Sequence, residues 1–183
     1  MTGLVILGNG FEISEAIVPI DYYFRSGIKM VKASVYNTKE VTSQEGVTIL
    51  ADVLLDDVNL DIYDFLFIPG GKAAFNVLDK ISKIDDIIHY FVAKNKLVTA
   101  ICAAPFLIGR LGYFDGLNYT CFPSFENYIE KGNYLKNKGV VVEKGFITAK
   151  SVHYASEFAL EVIKYLLGED VAKNTFLQVK GEL

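Results

Sequence analysis

The run Leu97-Val98-Thr99-Ala100-Ile101-Cys102-Ala103-Ala104-Pro105 constrains this chain more than any other stretch. Its first five residues are apolar or β-branched and of strand length, which predicts a buried strand. Small residues follow the cysteine, and Phe106-Leu107-Ile108-Gly109-Arg110-Leu111 reads as the start of a buried helix. Cys102 therefore stands at a strand-to-helix corner, its sulfur projecting from the carboxyl end of the sheet. Open α/β sheets bind their ligands at that end. Backbone N–H groups at a helix start favour negative charge, so the thiol is expected to titrate below the free value of about 8.5. The same groups would stabilise an oxyanion on a bound carbonyl. The alternative is a buried structural cysteine, since free cysteine is among the most buried residue types.

Strands and helices alternate along the rest of the chain. Gly3 to Leu7 reads as a buried strand, and Glu15 to Gly27 as a helix with Ser14 as its cap and Pro19 as a candidate kink. Met30 to Tyr36 is a second strand. Glu40 to Leu50 suggests a small hairpin with Gly46 at its turn, and Asp52 to Asp61 an acidic, solvated connection. Asp64 to Ile68 is another buried strand, ending at Pro69-Gly70-Gly71, where two glycines let backbone approach a ligand or simply make a tight turn. Ala73 to Leu78 and Ser82 to Asn95 read as helices, with His89 off the apolar stripe of the second. Asn118 to Pro123 reads as extended, Ser124 as the cap of a helix through Lys131, and Gly139–Glu143 with Phe146–Ala149 as a hairpin. Tyr154 to Leu167 is an amphipathic helix, and a further helix begins at Glu169. This alternation predicts an α/β sandwich, a mostly parallel sheet covered on both faces.

Composition narrows the function classes. The 183 residues suit a single domain with a sizeable core. A net charge of −4 with no basic run argues against a nucleic-acid partner. No stretch reaches the roughly 18 apolar residues of a membrane helix, and no leader pattern opens the chain, so a cytoplasmic protein is expected. Two cysteines and two histidines, with no Cys-x-x-Cys, do not suggest a zinc site, and no metal is expected. Gly8-Asn9-Gly10 invites a dinucleotide reading, but the third glycine of G-x-G-x-x-G would fall at Ile13.

Several segments together resemble the ThiJ/PfpI superfamily, in the branch of the parkinsonism-associated deglycase and its bacterial homologue YajL. Val98-Thr99-Ala100-Ile101-Cys102-Ala103-Ala104-Pro105 is similar to the nucleophile motif, and Glu15-Ala16-Ile17-Val18-Pro19-Ile20-Asp21 to the first-helix motif. Phe67-Ile68-Pro69-Gly70-Gly71 resembles the glycine pair, Thr120-Cys121-Phe122-Pro123 the YajL form of its segment, and Ser156-Glu157-Phe158-Ala159-Leu160 the start of the long C-terminal helix. The resemblance implies one ThiJ/PfpI domain over residues 1–183, a flavodoxin-like three-layer α/β/α sandwich with a nucleophile elbow, and a homodimer. It implies that Cys102 is the reactive thiolate, that Glu15 bonds it as a protonated acid, and that Gly71 and Ala103 offer oxyanion N–H groups. Gly70, Phe122 and His153 are the implied substrate-binding positions.

The chain also departs from the pattern. Human-type members carry histidine where Phe122 stands, and the Arg-Gly-Pro-Gly-Thr loop is replaced by Lys150-Ser151-Val152-His153-Tyr154. His153 either enters the site or stays on the surface, the latter being the commoner fate of a polar residue. Protease and amidase branches place histidine directly after the cysteine; Ala103 stands there, which counts against peptidase chemistry. The expected activity is a cofactor-free glyoxalase or deglycase acting on methylglyoxal or its thiol and amine adducts. The alternative is a redox sensor or holdase chaperone working through Cys102 sulfinate. Hydrolysis of small esters or peptides is a weaker third reading. Cys121 would be either a resolving thiol or a core residue, and its extended, apolar surroundings favour the core.

Overall fold

The apolar runs become strands of one sheet, as their length and β-branching require. The structure, a computed structural model, describes residues 1–183. In chain order the elements are β1 (Thr2–Leu7), α1 (Ile13–Arg25), β2 (Lys29–Ser34), β3 (Glu40–Thr42), β4 (Thr48–Leu50), β5 (Val53–Leu54), β6 (Phe65–Ile68) and α2 (Lys72–Asn76). Then follow α3 (Ser82–Ala93), β7 (Leu97–Ile101), α4 (Pro105–Gly109), β8 (Asn118–Tyr119), β9 (Asn133–Tyr134), β10 (Val140–Glu143), β11 (Phe146–Ala149), α5 (Ala155–Leu167) and α6 (Glu169–Lys180).

Seven strands form the main sheet in the order β10-β11-β7-β6-β1-β2-β5. Every neighbouring pair is parallel except β10 with β11, which close the edge as a hairpin. β6 and β7, buried along their whole length, lie at the centre. One face carries α3 and α4 over Leu4, Leu66, Val98 and Ala100. The other carries α1 and α5 over Val5, Phe65, Phe67 and Ile147. On this second face Tyr23 meets Phe65 and Phe67 edge-on at 5.7 and 6.2 Å, and Phe158 packs on Phe67 at 5.6 Å. Such pairs add about 0.5–1.5 kcal/mol each beyond the area they bury. The expected α/β/α sandwich is thus the observed one.

Local differences have physical reasons. Glu12, not Ser14, caps α1: its carboxylate accepts the Glu15 N–H at 2.5 Å and the helix starts at Ile13. α1 runs unbroken through the buried Pro19. The helix expected after Ser124 is only a 3-10 turn, Phe125–Tyr128, because Ser124 itself is left-handed at φ 81° and Gly132 at φ 114° turns the chain away. The connection after Asp52 holds the edge strand β5 and two 3-10 turns, and Leu55 within it is buried. β3 and β4 form the expected hairpin, with Gly46 at φ 87°. No helix is long and apolar enough to cross a membrane.

Candidate functional site

β7 ends at Ile101, and the next residue turns sharply: Cys102 has φ 63°. A left-handed conformation costs an L-residue about 1–2 kcal/mol, so the surroundings must hold it. They do so through the backbone. The Cys102 N–H donates to Ala149 O at 2.8 Å, and its carbonyl accepts from Phe122 N–H at 2.7 Å. The corner is therefore tied to the end of β11 on one side and to the 120–122 segment on the other. This is the expected elbow, with the sulfur at the carboxyl end of the sheet.

Glu15 reaches the sulfur because the loops after β1 and β6 are stitched together. Phe11 bridges Gly71, Glu12 N–H donates to Gly70 O at 3.2 Å, and Ala73 N–H donates to Gly10 O at 2.9 Å. The first turn of α1 then lies over the glycine pair, and Glu15 is 1% exposed. Gly70 is the spacer between the two groups. A methyl group on it would come within 2.5 Å of Glu15 Oε2 and 2.6 Å of Cys102 Cβ. Gly71, at φ 83°, has the Glu12 backbone nitrogen against the place where a side chain would start.

Burial pushes the Glu15 carboxyl from 4.5 up to about 7, and the charges of Glu12 and Glu45 push the same way. The thiol and the Gly70 N–H pull it down. Glu15 Oε2 has no hydrogen-bond partner of ordinary geometry, and these two contacts only soften the effect of burial. The Cys102 thiol is also pushed well up, by burial first and by the Glu15 carboxylate second; the Gly71 and Ala103 N–H groups oppose this. This reverses the direction expected from a helix start. α4 is a single short turn beginning at Pro105, and its few donors do not outweigh the loss of water. Carboxyl and thiol thus form a coupled pair that sheds its first proton near pH 7 and shares the second. A neutral Glu15 beside a negative sulfur and a negative Glu15 beside a neutral thiol are two placements of one proton.

The pair opens into a cavity of about 420 Å³. Gly71, Ala103 and Phe122 line it together with Cys102 and Glu15. Gly70 does not; it lies behind them as the spacer. His153 does not line it either: it is exposed and packs edge-on against Tyr154 at 4.8 Å, while its neighbours Ser151 and Val152 do line the cavity. Sequence reasoning missed Glu12, Gln44, Lys72, Phe75, Asn76 and Phe125. Gln44 comes from the β3–β4 hairpin, where its Oε1 accepts the Lys72 N–H at 3.3 Å. Phe75, three residues beyond Lys72 on one helical turn, was within reach of a periodicity argument. No three His, Cys, Asp or Glu side chains converge as metal ligands would.

Comparison with known proteins agrees with this fold. The sequence profile described as the DJ-1/PfpI family matches residues 1–165. Protein dj-1beta of Drosophila melanogaster is 32% identical over 170 residues, 92% of this chain and 91% of the relative. The crystal structure of Drosophila melanogaster DJ-1beta superposes with a TM-score of 0.91 at 30% identity, covering 97% and 96% of the two chains. The oxidized form of Toxoplasma gondii DJ-1 superposes with a TM-score of 0.85 at 28% identity, covering 97% of each chain.

Proposed function

The chain belongs to the DJ-1/PfpI family, and from that premise we propose that it is a cysteine-dependent, cofactor-free glyoxalase and deglycase acting on methylglyoxal or its thiol and amine adducts. The observation that carries this is the placement of Glu15 and Cys102 on either side of Gly70, at the floor of a cavity. One proton moves between them, so the site can present a thiolate and an acid, or a thiol and a base.

The chemistry balances within the substrate. The Cys102 thiolate attacks the aldehyde carbon and a C–S bond forms. The carbonyl oxygen takes the charge beside the Gly71 and Ala103 N–H groups, then a proton. Glu15 removes the hydrogen on that carbon as a proton, the electron pair makes an enediol, and Glu15 returns the proton to the neighbouring carbon. This leaves a thioester of the 2-hydroxy acid. Water attacks it, the C–S bond breaks, lactate departs and the sulfur regains its proton. The aldehyde carbon is oxidised by two electrons and the ketone carbon reduced by two, so no outside oxidant is used. On a thiol or amine adduct, the same attack expels the thiol or amine. Lactate formation from methylglyoxal, without glutathione or added metal, tests this. We expect turnover in the wild type and its loss in Cys102→Ser and Glu15→Gln; an inactive wild type would overturn the reading.

A second reading, redox sensing or holdase activity through Cys102 sulfinate, draws on one observation. The buried, unpartnered Glu15 Oε2 and the Gly71 and Ala103 N–H groups would supply hydrogen bonds to sulfinate oxygens. Peroxide treatment followed by mass measurement of Cys102 tests it. We further infer a cytoplasmic homodimer. The two cysteines are unpaired, as a reducing compartment requires, and α1 exposes Ile17 and, at 79%, Phe24.

A further inference from the structure

The aldehyde chemistry above occupies only the floor of the cavity. Its upper wall is aromatic. Phe75, Phe106, Phe125 and Tyr128 pack as one cluster, with every ring within 5.3 to 6.1 Å of the other three. Phe106 is buried, but Phe75 is 38% and Tyr128 51% exposed. Phe75 and Phe125 line the same cavity as Cys102 and Ala103, and so do the exposed Phe122 and Val152. Large apolar side chains left open around one nucleophile mark a surface meant to be covered.

Methylglyoxal cannot cover it. A three-carbon ketoaldehyde fills a small part of about 420 Å³, a volume in the range for ligands many times larger. Its single methyl group would leave the rings in water. Glyoxal has no substituent at all. The geometry points to a 2-oxoaldehyde carrying a bulky apolar substituent, an aryl group above all, as the substrate class of this site, with Phe75 and Phe125 as its specificity-determining residues. This rests on the reading of the site given above.

The placement follows from the chain. Gly71, whose N–H faces the developing oxyanion, immediately precedes α2, and Phe75 lies four residues further on. The carbonyl contact and the aromatic contact therefore sit at a fixed spacing on one short element. With the aldehyde carbon at Cys102 Sγ and its oxygen toward Gly71 and Ala103, an aryl group on the adjacent ketone carbon extends toward Phe75 and Phe125, where edge-on ring contacts are available. Lys72, Asn76 and Gln44 complete the rim. They suit the hydroxyl and carboxylate of a 2-hydroxy acid. The reaction balances as before: arylglyoxal and water give the 2-aryl-2-hydroxy acid, one carbon being oxidised and its neighbour reduced.

The test compares kcat/KM for phenylglyoxal, read as mandelate, with kcat/KM for methylglyoxal, read as lactate. The wild type should favour phenylglyoxal about tenfold or more, the discrimination that one extra apolar contact surface supplies. Phe75→Ala and Phe125→Ala should each lower that ratio severalfold. Phe75→Leu, which keeps the apolar volume and so the packing against Phe106, should lower it less. A wild-type ratio of one or below overturns the inference while leaving the aldehyde chemistry standing. So does a ratio that neither phenylalanine variant moves. No turnover of either aldehyde by the wild type overturns the chemistry and this inference together.

Discussion

Cys102 and Cys121 share more than their side chain. Burial raises both thiols, Cys121 to about 12, and each has a carboxylate near it, Glu15 for one and Glu126 for the other. They are even joined, since the residue after Cys121 donates its N–H to the carbonyl of Cys102. The difference lies in backbone and surroundings. Cys102 is left-handed, part-exposed to the cavity, and flanked by the Gly71 and Ala103 N–H groups. Cys121 is fully enclosed among the rings and aliphatic chains around α4. A carboxylate near a thiol is thus not what makes a site. Both sulfurs have a backbone N–H beside them, Glu126 for Cys121, so the corner that aims Cys102 into open space is what separates the two.

Substitution at the acid–thiol pair should break this comparison most strongly. Cys102→Ser and Glu15→Gln are each expected to lower methylglyoxal turnover by about 10²–10⁴-fold, the usual worth of a positioned acid–base group or nucleophile. Cys121→Ser should leave turnover within a few-fold of wild type in the same assay. Equal losses at both cysteines would mean that the left-handed corner confers nothing.

The second effect is on stability, and it runs against function. Glu15 carries a folded-state pKa raised to about 7 from 4.5, so between these values the folded chain binds more protons than the unfolded one. Stability from this group is therefore fully present below about 4.5 and is lost as pH rises through 7. Above 7 the buried charge costs about 3 kcal/mol. Glu15→Gln should melt well above the wild type at pH 8, and the gap should close at pH 4. Turnover in the wild type should rise through pH 7 and level off. In Glu15→Gln the residual activity should rise only at higher pH, toward the range of an unassisted buried thiol.

This reversal marks where the sequence stops being informative. The strands around the corner were legible because Leu4–Leu7, Phe65–Ile68 and Leu97–Ile101 are largely apolar runs closed by Gly8, Pro69-Gly70 and Cys102-Ala103. The elbow was legible from Cys102-Ala103-Ala104-Pro105, and Glu15 from the resemblance of Glu15-Ala16-Ile17-Val18-Pro19-Ile20-Asp21 to the first-helix motif. The direction of the thiol's shift was not, since it depends on how much water the packing of α1 over the glycine pair removes. Glu12 escaped notice because glutamate is an uncommon cap. Gln44, Phe75 and Phe125 come from three separate loops and short turns, and only the folded sheet brings them to one cavity. The left-handed Ser124 could not be told from an ordinary cap by residue type.

A smaller effect tests the spacer. Adding a methyl group at Gly70 sets it within 2.6 Å of both Glu15 Oε2 and Cys102 Cβ, so one of them must move. Gly70→Ala should retain the fold and lower turnover by about tenfold to a hundredfold, the scale of a misplacement near 1 Å. The thermal gap between pH 4 and pH 8 should narrow in this variant if the carboxyl is pushed toward the cavity and regains water.

The smallest effect should come from Cys121, and its pattern matters more than its size. Cys121→Ala removes one buried sulfur and leaves a small gap beside the rings around α4, a loss of about 1 kcal/mol. Cys121→Ser keeps the size and sets a hydroxyl beside the Glu126 N–H and carboxylate, which can bond it. Alanine should therefore be the worse replacement in denaturant melts, although serine is the more polar. At position 102 the gap between the two should shrink, because either replacement there faces open space beside the Gly71 and Ala103 N–H groups. If serine proved worse than alanine at 121, the Glu126 groups would not reach the hydroxyl. The enclosure of Cys121 would then act as purely apolar despite the carboxylate beside it.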